Sequence, residues 1–252
     1  MFKHKFKASF IHFSLSAVIL SLIMALIVYF WFPTPFLGIS DFKEIALILI
    51  SVDLVLGPLL TFIAYNPSKK SLKLDLSVIV AIQIMALSYG LYSLYLSHPL
   101  YISYYDKGFT LISTYQATPE KAKHKDFKIS KLSSPKISFL NLDDKMKNQL
   151  FTEMLNGGAN IEARAEFYEP YQDHLAEIIE NSLDPRLVFK MKGPKEKLDK
   201  FIQQNGNSID DYIFVPLNSG SKQVVWVLKK DTGSPVDILD VPPLRITKKV
   251  SK

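Results

Sequence analysis

A bundle of three transmembrane helices followed by an extracytoplasmic α+β domain is the fold class this sequence predicts, on three observations. Hydrophobic residues make up 48% of the 252 residues, more apolar material than one small soluble domain usually buries. The excess is local: residues 1–97 are nearly continuous hydrocarbon, whereas 98–252 have the mixed composition of a globular domain. Within 1–97 the apolar residues fall into three runs of about 20, the length that crosses a ~30 Å hydrocarbon core at about 1.5 Å per helical residue.

The first run extends from Phe10 to Phe32, the second from Ile45 to Tyr65 and the third from Leu76 to Leu96. Lys3, Lys5 and Lys7 ahead of an apolar run also suit a signal peptide. Against that reading, the run is long and ends in Tyr29-Phe30-Trp31-Phe32-Pro33 instead of small residues, so a retained span is expected. Two further runs of this length in succession do not suit the buried helical hairpin of a soluble protein.

Lysines set the direction, because basic residues are retained on the cytoplasmic side. Six of the seven lysines in residues 1–97 sit at two places, Lys3, Lys5 and Lys7 before the first span and Lys69, Lys70 and Lys73 between the second and third. Both places lie on one side of a three-span topology, and only Lys43 lies on the other. The N-terminus and the Asn66–Asp75 loop are therefore expected in the cytoplasm of a bacterial inner-membrane protein, and domain 98–252 in the periplasm. Trp31, Phe32, Tyr92 and Tyr95 suit the outer interface, in contact with lipid headgroups.

The net charge of +6 does not indicate nucleic acid. Seven lysines against four acidic residues leave +3 in residues 1–97, and the remaining +3 is spread through the rest without a basic, aromatic-laced helix face. The chain has no cysteine, which excludes disulfides, thiolate catalysis and cysteine-based metal sites.

Inside the second span stands Asp53, where a carboxylate needs a partner, a proton or a wet recess. It is expected either to contact a partner helix or handle a proton, or else to be a protonated tie among the three helices. Counted from the outer end it lies about 12 Å deep, level with Ser88, Tyr89 and Tyr92 of the third span, its expected hydrogen-bond partners. Gln83 is deeper, level with Gly57–Thr61. Gly57-Pro58 interrupts the second helix, and the proline frees a carbonyl near Leu54, so a kink is expected. The paired broken helices of a transporter are missing, and one carboxylate is too little for a proton pathway.

Beyond Ser97, Leu100–Tyr105 and Phe109–Ser113 read as strands around the turn signal Asp106-Lys107-Gly108. Asp143 or Asp144 caps a helix through Asn156, with Met146, Leu150 and Met154 on one face and Gly157-Gly158 as its stop. Tyr171–Asn181 reads as a second helix and Lys195–Gln204 as a third that stops at Gly206. Tyr212–Leu217, Gln223–Lys229 and Val236–Leu239 form a strand meander with turns at Asn218–Ser221 and Asp231–Gly233, which completes an α+β domain.

Catalytic patterns are scarce. His98, His124 and His174 lack metal-ligand spacing, Ser219-Gly220-Ser221 lacks the glycine spacing of a nucleophile elbow, and Gly193-Pro194-Lys195 lacks the rest of a phosphate loop. Glu166, Glu169 and Asp173 cluster in sequence around Tyr168 and Tyr171, as carboxylates on solvated faces often do. No cofactor or metal is expected, and a binding module is expected in place of an enzyme.

Several segments carry a family pattern. The stretch Asp53-Leu54-Val55-Leu56-Gly57-Pro58-Leu59-Leu60-Thr61 is followed by Asn66-Pro67, Lys70-Ser71-Leu72-Lys73, Asp75-Leu76, Gln83, Tyr89-Gly90, Tyr92, His98-Pro99 and Asp106. Gly157-Gly158, Tyr168-Glu169-Pro170-Tyr171 and Thr232-Gly233 with Pro235-Val236 follow. Together these resemble the TfpX/TfpZ family of type IV pilin accessory proteins over nearly the whole chain. His98 stands where that pattern has Arg, and Pro242-Pro243 where it has Pro-Trp. The resemblance implies a chaperone-like accessory factor that binds the major type IV pilin and supports subunit stability or pilus assembly. Asp53, Gly57, Pro58, Gln83, Tyr89 and Tyr92 are then the candidate intramembrane or partner-binding residues. The alternative is a membrane-bound enzyme that modifies pilin or envelope glycans, although the short Pro33–Phe42 loop offers such chemistry little room. A sensor would need a cytoplasmic output domain, for which the predicted cytoplasmic segments are too short.

Overall fold

The computed structural model of the chain describes residues 2–33, 36–190, 192–205, 208–220 and 222–243. It divides into two compact units, Met1–His98 and Pro99–Lys252.

The first unit contains the three predicted spans as helices α1 (Phe2–Trp31), α2 (Phe42–Ala64) and α3 (Leu72–Ser97), each long and apolar enough to cross a membrane. All three begin several residues before the hydropathy boundary, because lysine and glutamate propagate a helix nearly as well as leucine does. Leu20, Ile27 and Phe32 meet Leu49 and Leu94 in a shared core. On α3 the buried positions are Ile79, Gln83 and Leu94, a seam of helical period along one face. Gly90 completes it, since a Cβ there would stand 2.5 Å from Leu49 Cδ1. At the end of the bundle away from Lys5, His98 stacks on Trp31 (ring centroids 4.9 Å apart) and shares a 2.6 Å hydrogen bond through Nδ1 with the Tyr95 carbonyl.

Residues Val52–Leu56 of α2 form a π-helical turn, closed by a bond from the Gly57 N–H to the Val52 carbonyl. The reason follows in the sequence. Pro58 has no N–H for the Leu54 carbonyl, and widening the preceding turn lets the helix run on into Gly57–Ala64. The interruption expected at Gly57-Pro58 thus takes the form of a π turn within a continuous helix.

The second unit is α+β. Strands β1 (Pro99–Tyr105), β2 (Gly108–Ser113), β3 (Lys136–Leu140), β4 (Tyr168–Pro170), β5 (Tyr212–Asn218), β6 (Gln223–Lys229) and β7 (Pro235–Leu239) form one sheet in the order β4-β3-β1-β2-β5-β6-β7. The β1–β2 hairpin turns on Asp106 and Lys107, both at positive φ (45° and 67°), the backbone that a two-residue turn matched to strand twist requires. β5, β6 and β7 form the antiparallel meander that the sequence predicts. Sequence patterning does not reveal β3 and β4. They are five and three residues long, at or below the length at which alternation can be read. β3 runs parallel to β1, and β2 parallel to β5, so the sheet is mixed.

Helix α4 (Asp144–Leu155) is capped by Asp143, whose carboxylate accepts from the Met146 N–H at 2.7 Å. Its Leu150, Met146 and Met154 pack on one sheet face with Tyr101, Ile112 and Leu140. Towards β7 the same role falls to α6 (Pro185–Val188) and α7 (Lys192–Asn205), through Val188, Leu198 and Phe201. The expected stop of α7, Gly206, lies outside the described residues, as does Ser221 of the β5–β6 turn. The predicted helix from Tyr171 opens as a 3₁₀ turn, Tyr171–His174, before α5 (Leu175–Glu180). This segment lies over an aromatic row in which Phe139, Tyr104, Phe109 and Trp226 touch in sequence, with centroids 4.8 to 5.4 Å apart. His174 stacks on Phe139, and the Tyr171 hydroxyl donates to the Gly233 carbonyl at 3.2 Å. Two segments of the family pattern that lie 62 residues apart therefore meet.

Candidate functional site

Polar residues recur on α1 at positions 5, 9, 12 and 16, alternating steps of four and three that place them on one face. That face meets the second half of α2. The Lys5 ammonium donates to the Ile63 carbonyl (3.2 Å), one of the last carbonyls of the helix and without an intrahelical donor. Ser9 Oγ donates to the Pro58 carbonyl (2.8 Å), and His12 Nδ1 shares a 2.6 Å hydrogen bond with Thr61 Oγ1. Each bond joins α1 to a polar group that hydrocarbon cannot solvate.

One turn further along, the π turn brings Asp53 inside, at 6% exposure, while Val55 and Leu56 point outward. Gln83 crosses from α3, at 8% exposure, and lies directly over Gly57: a Cβ on that glycine would stand 1.9 Å from Gln83 Nε2. Asp53, Gln83 and His12 line one cavity of about 320 Å³ between α1 and α3. Among the described residues, neither atom of the Gln83 amide has a hydrogen-bond partner. Asp53 has none among the described hydrogen bonds; its neighbouring ionisable group is His12.

The structure therefore brings together Asp53, Gly57, Pro58 and Gln83 and leaves out Tyr89 and Tyr92. Those tyrosines are 75% and 58% exposed on the outward face of α3, and Ser88 bonds back to the Ile84 carbonyl of its own helix at 2.7 Å. Their expected bond to Asp53 is not formed. Depth along a straight helix identifies a layer but not a face, and the seam through Ile79, Gln83, Gly90 and Leu94 points away from residues 88, 89 and 92. His12 is the member that sequence reasoning missed. Its signal was present in the 5-9-12-16 spacing, hidden because Lys5 and Ser9 fall before the apolar boundary at Phe10.

A stability series checks this assignment. Contacts of this kind in a membrane are worth about 0.6–2 kcal/mol, so His12→Ala or Thr61→Val should lower resistance of the purified protein to SDS-induced unfolding by about that amount. Tyr89→Phe and Tyr92→Phe should stay within about 0.5 kcal/mol of the parent, as surface changes do. A loss at Tyr92→Phe equal to that at His12→Ala would restore the tyrosine as a strut.

In the second unit several titratable groups are paired locally. Glu169 is held below the usual carboxylate range. Burial alone would raise it, but hydrogen bonds from Asn141 (3.1 Å) and His174 (2.8 Å) outweigh that. Glu166 lies beside Arg164 instead, 3.7 Å away, so the acidic cluster read in sequence is divided between separate partners. Burial pushes the Tyr168 hydroxyl well above its ordinary range, and it donates to the Glu162 carbonyl. No group of three metal-ligating side chains occurs among the described residues.

Fold and seam define a multi-span membrane protein that holds hydrogen-bonding groups inside hydrocarbon and carries a mixed-sheet α+β domain. The family described as fimbrial assembly protein FimB matches residues 1–41. The fimbrial assembly protein of serogroups C1 and C2 from Dichelobacter nodosus is 40% identical over 96 residues, 37% of this chain and 73% of that relative. The serogroup I protein of the same organism is also 40% identical over 96 residues, 37% of either chain, so the match spans little more than a third of that longer relative. This chain belongs to the fimbrial assembly protein family. No solved structure matches it.

Proposed function

We propose that this chain is an inner-membrane accessory factor of pilus assembly, of the TfpX/TfpZ kind that its motifs resemble, and that it binds pilin subunits to support their stability or assembly. The observation that carries the reading is the 40% identity over 96 residues to a fimbrial assembly protein of which this chain covers 73%. The membrane seam supports it physically. Buried Asp53, and Gln83 whose amide has no hydrogen-bond partner among the described residues, are costly in hydrocarbon unless a second helix meets them. The domain beginning at Pro99 lies in the periplasm, where it can meet the part of a subunit outside the membrane.

Deleting the gene should lower surface pili or pilin abundance without changing the mass of the pilin. A glycan-sized mass loss in the mutant would move the reading to an enzyme that modifies pilin. The topology has its own measurement. Alkaline phosphatase fused after Ser97 or at Lys252 should be active, and fused within the Asn66–Asp75 loop inactive; the reverse pattern would remove the periplasmic contact.

A further inference from the structure

The membrane unit is unevenly packed. Helices α1 and α3 each pack along α2 and approach each other more sparsely, with one ring contact between them where Trp31 meets Tyr95. Between them runs a groove made of two joined cavities, about 470 Å³ and about 320 Å³, that share His12 and Val80. It follows α1 from His4 to Leu20, a helical rise of about 24 Å. In the deeper cavity the walls are apolar, among them Leu15, Ile19, Ile84 and Leu87, and the floor holds Asp53 and Gln83; the cavity nearer the N-terminus is also lined by His4, Lys7 and Thr61.

We propose that this groove seats one membrane-spanning helix of the client, apolar along its length and carrying a hydrogen-bond donor that meets Asp53 and Gln83 near mid-membrane. The inference rests on the pilin-binding reading above and adds the place and chemistry of contact. Three physical points select this occupant. A lipid acyl chain fills a groove but offers nothing to a buried carboxyl or to an amide that lacks hydrogen-bond partners. A second copy meeting the same face by two-fold symmetry would set one concave surface against another, which leaves both unfilled. A single helix is convex, needs no backbone partners, and can present a hydroxyl or amide from one position while keeping apolar residues against the walls.

The test uses the full-length protein in cells, with a photo-crosslinking amino acid at groove positions Ile19 and Ile84 and at outward positions Leu22 and Leu47, all exposed residues, and the cell's major pilin as the probe. The pilin-sized adduct should be at least about five-fold stronger at Ile19 and Ile84, the ratio that about 1 kcal/mol of preference supplies. Asp53→Leu or Gln83→Leu should lower the Ile84 adduct several-fold while the protein's abundance is unchanged. Adducts strongest at Leu22 or Leu47, or groove adducts only to lipid or to a second copy, would overturn the groove and leave pilin binding standing. Adduct yields that ignore Asp53→Leu and Gln83→Leu would overturn the polar contact. No pilin adduct from any of the four positions, together with none from the domain after Pro99, would overturn the pilin reading itself.

Discussion

Gly57→Leu should collapse the membrane seam and, on the proposed pilin binding, capture of pilin with it. The Gln83 side chain fills the space where a Cβ would stand, with its Nε2 at 1.9 Å and Cδ at 2.7 Å. A flexible amide can swing away from one methyl, so Gly57→Ala should be tolerated. A leucine leaves it nowhere to go and drives α3 from α2, and overpacking of this kind costs about 1–3 kcal/mol. SDS unfolding of the purified protein and co-purification of pilin should both fall. The double variant Gly57→Leu with Gln83→Ala vacates the contested space and should recover at least half of the lost stability, as expected for two residues in direct contact. Recovery of stability without recovery of capture would mark Gln83 itself as a contact to the client. A Gly57→Leu protein with parental stability would sink the packing account.

Trp226→Ala should unfold the α+β unit while leaving the bundle intact. Trp226 is fully buried on β6 and meets Phe109 edge-to-face at 4.8 Å, at one end of the aromatic row that the Tyr171–Glu180 segment covers. Truncating a buried tryptophan typically costs about 3–5 kcal/mol, a large share of the roughly 5–15 kcal/mol that holds a domain folded. Limited proteolysis of the full chain in detergent should then cut within Pro99–Lys252 at temperatures the parent survives, while the Met1–His98 fragment stays protected. Protection of both units would show that the row contributes little. Loss of both would show that the two units fold as one.

The two variants separate the candidate contacts. If the seam recognises the client helix, Gly57→Leu abolishes capture even with the α+β unit folded. If the α+β unit dominates, Trp226→Ala does so with the seam intact. The Tyr171–Gly233 contact offers a further reason why the family pattern joins distant segments. Gly233 sits at φ 68° with Leu175 Cδ1 3.0 Å and Tyr171 Cε2 3.3 Å from where a Cβ would be, so the turn has room for no side chain.

By itself the sequence determined the three spans, because about 20 consecutive apolar residues have no other economical place than a membrane. It also determined the β1–β2 hairpin, the cap at Asp143 and the β5–β6–β7 meander, since each is written in local turn chemistry or alternation over neighbouring residues. Asp53 and Gln83 were legible as anomalies in hydrocarbon, but their surroundings were not. Only the tertiary structure decided that Asp53 faces His12 and Gln83 instead of Tyr89 and Tyr92, because the π turn ahead of Pro58 changes the angular phase of α2, and phase is invisible to a count of depth. It alone joined His12 to Thr61 across 49 residues, placed β3 parallel to β1, and brought Tyr171 to Gly233. Hydropathy and turn chemistry act over a few residues and can be read along the chain, whereas the face a helix turns inward is set by which neighbour completes its packing.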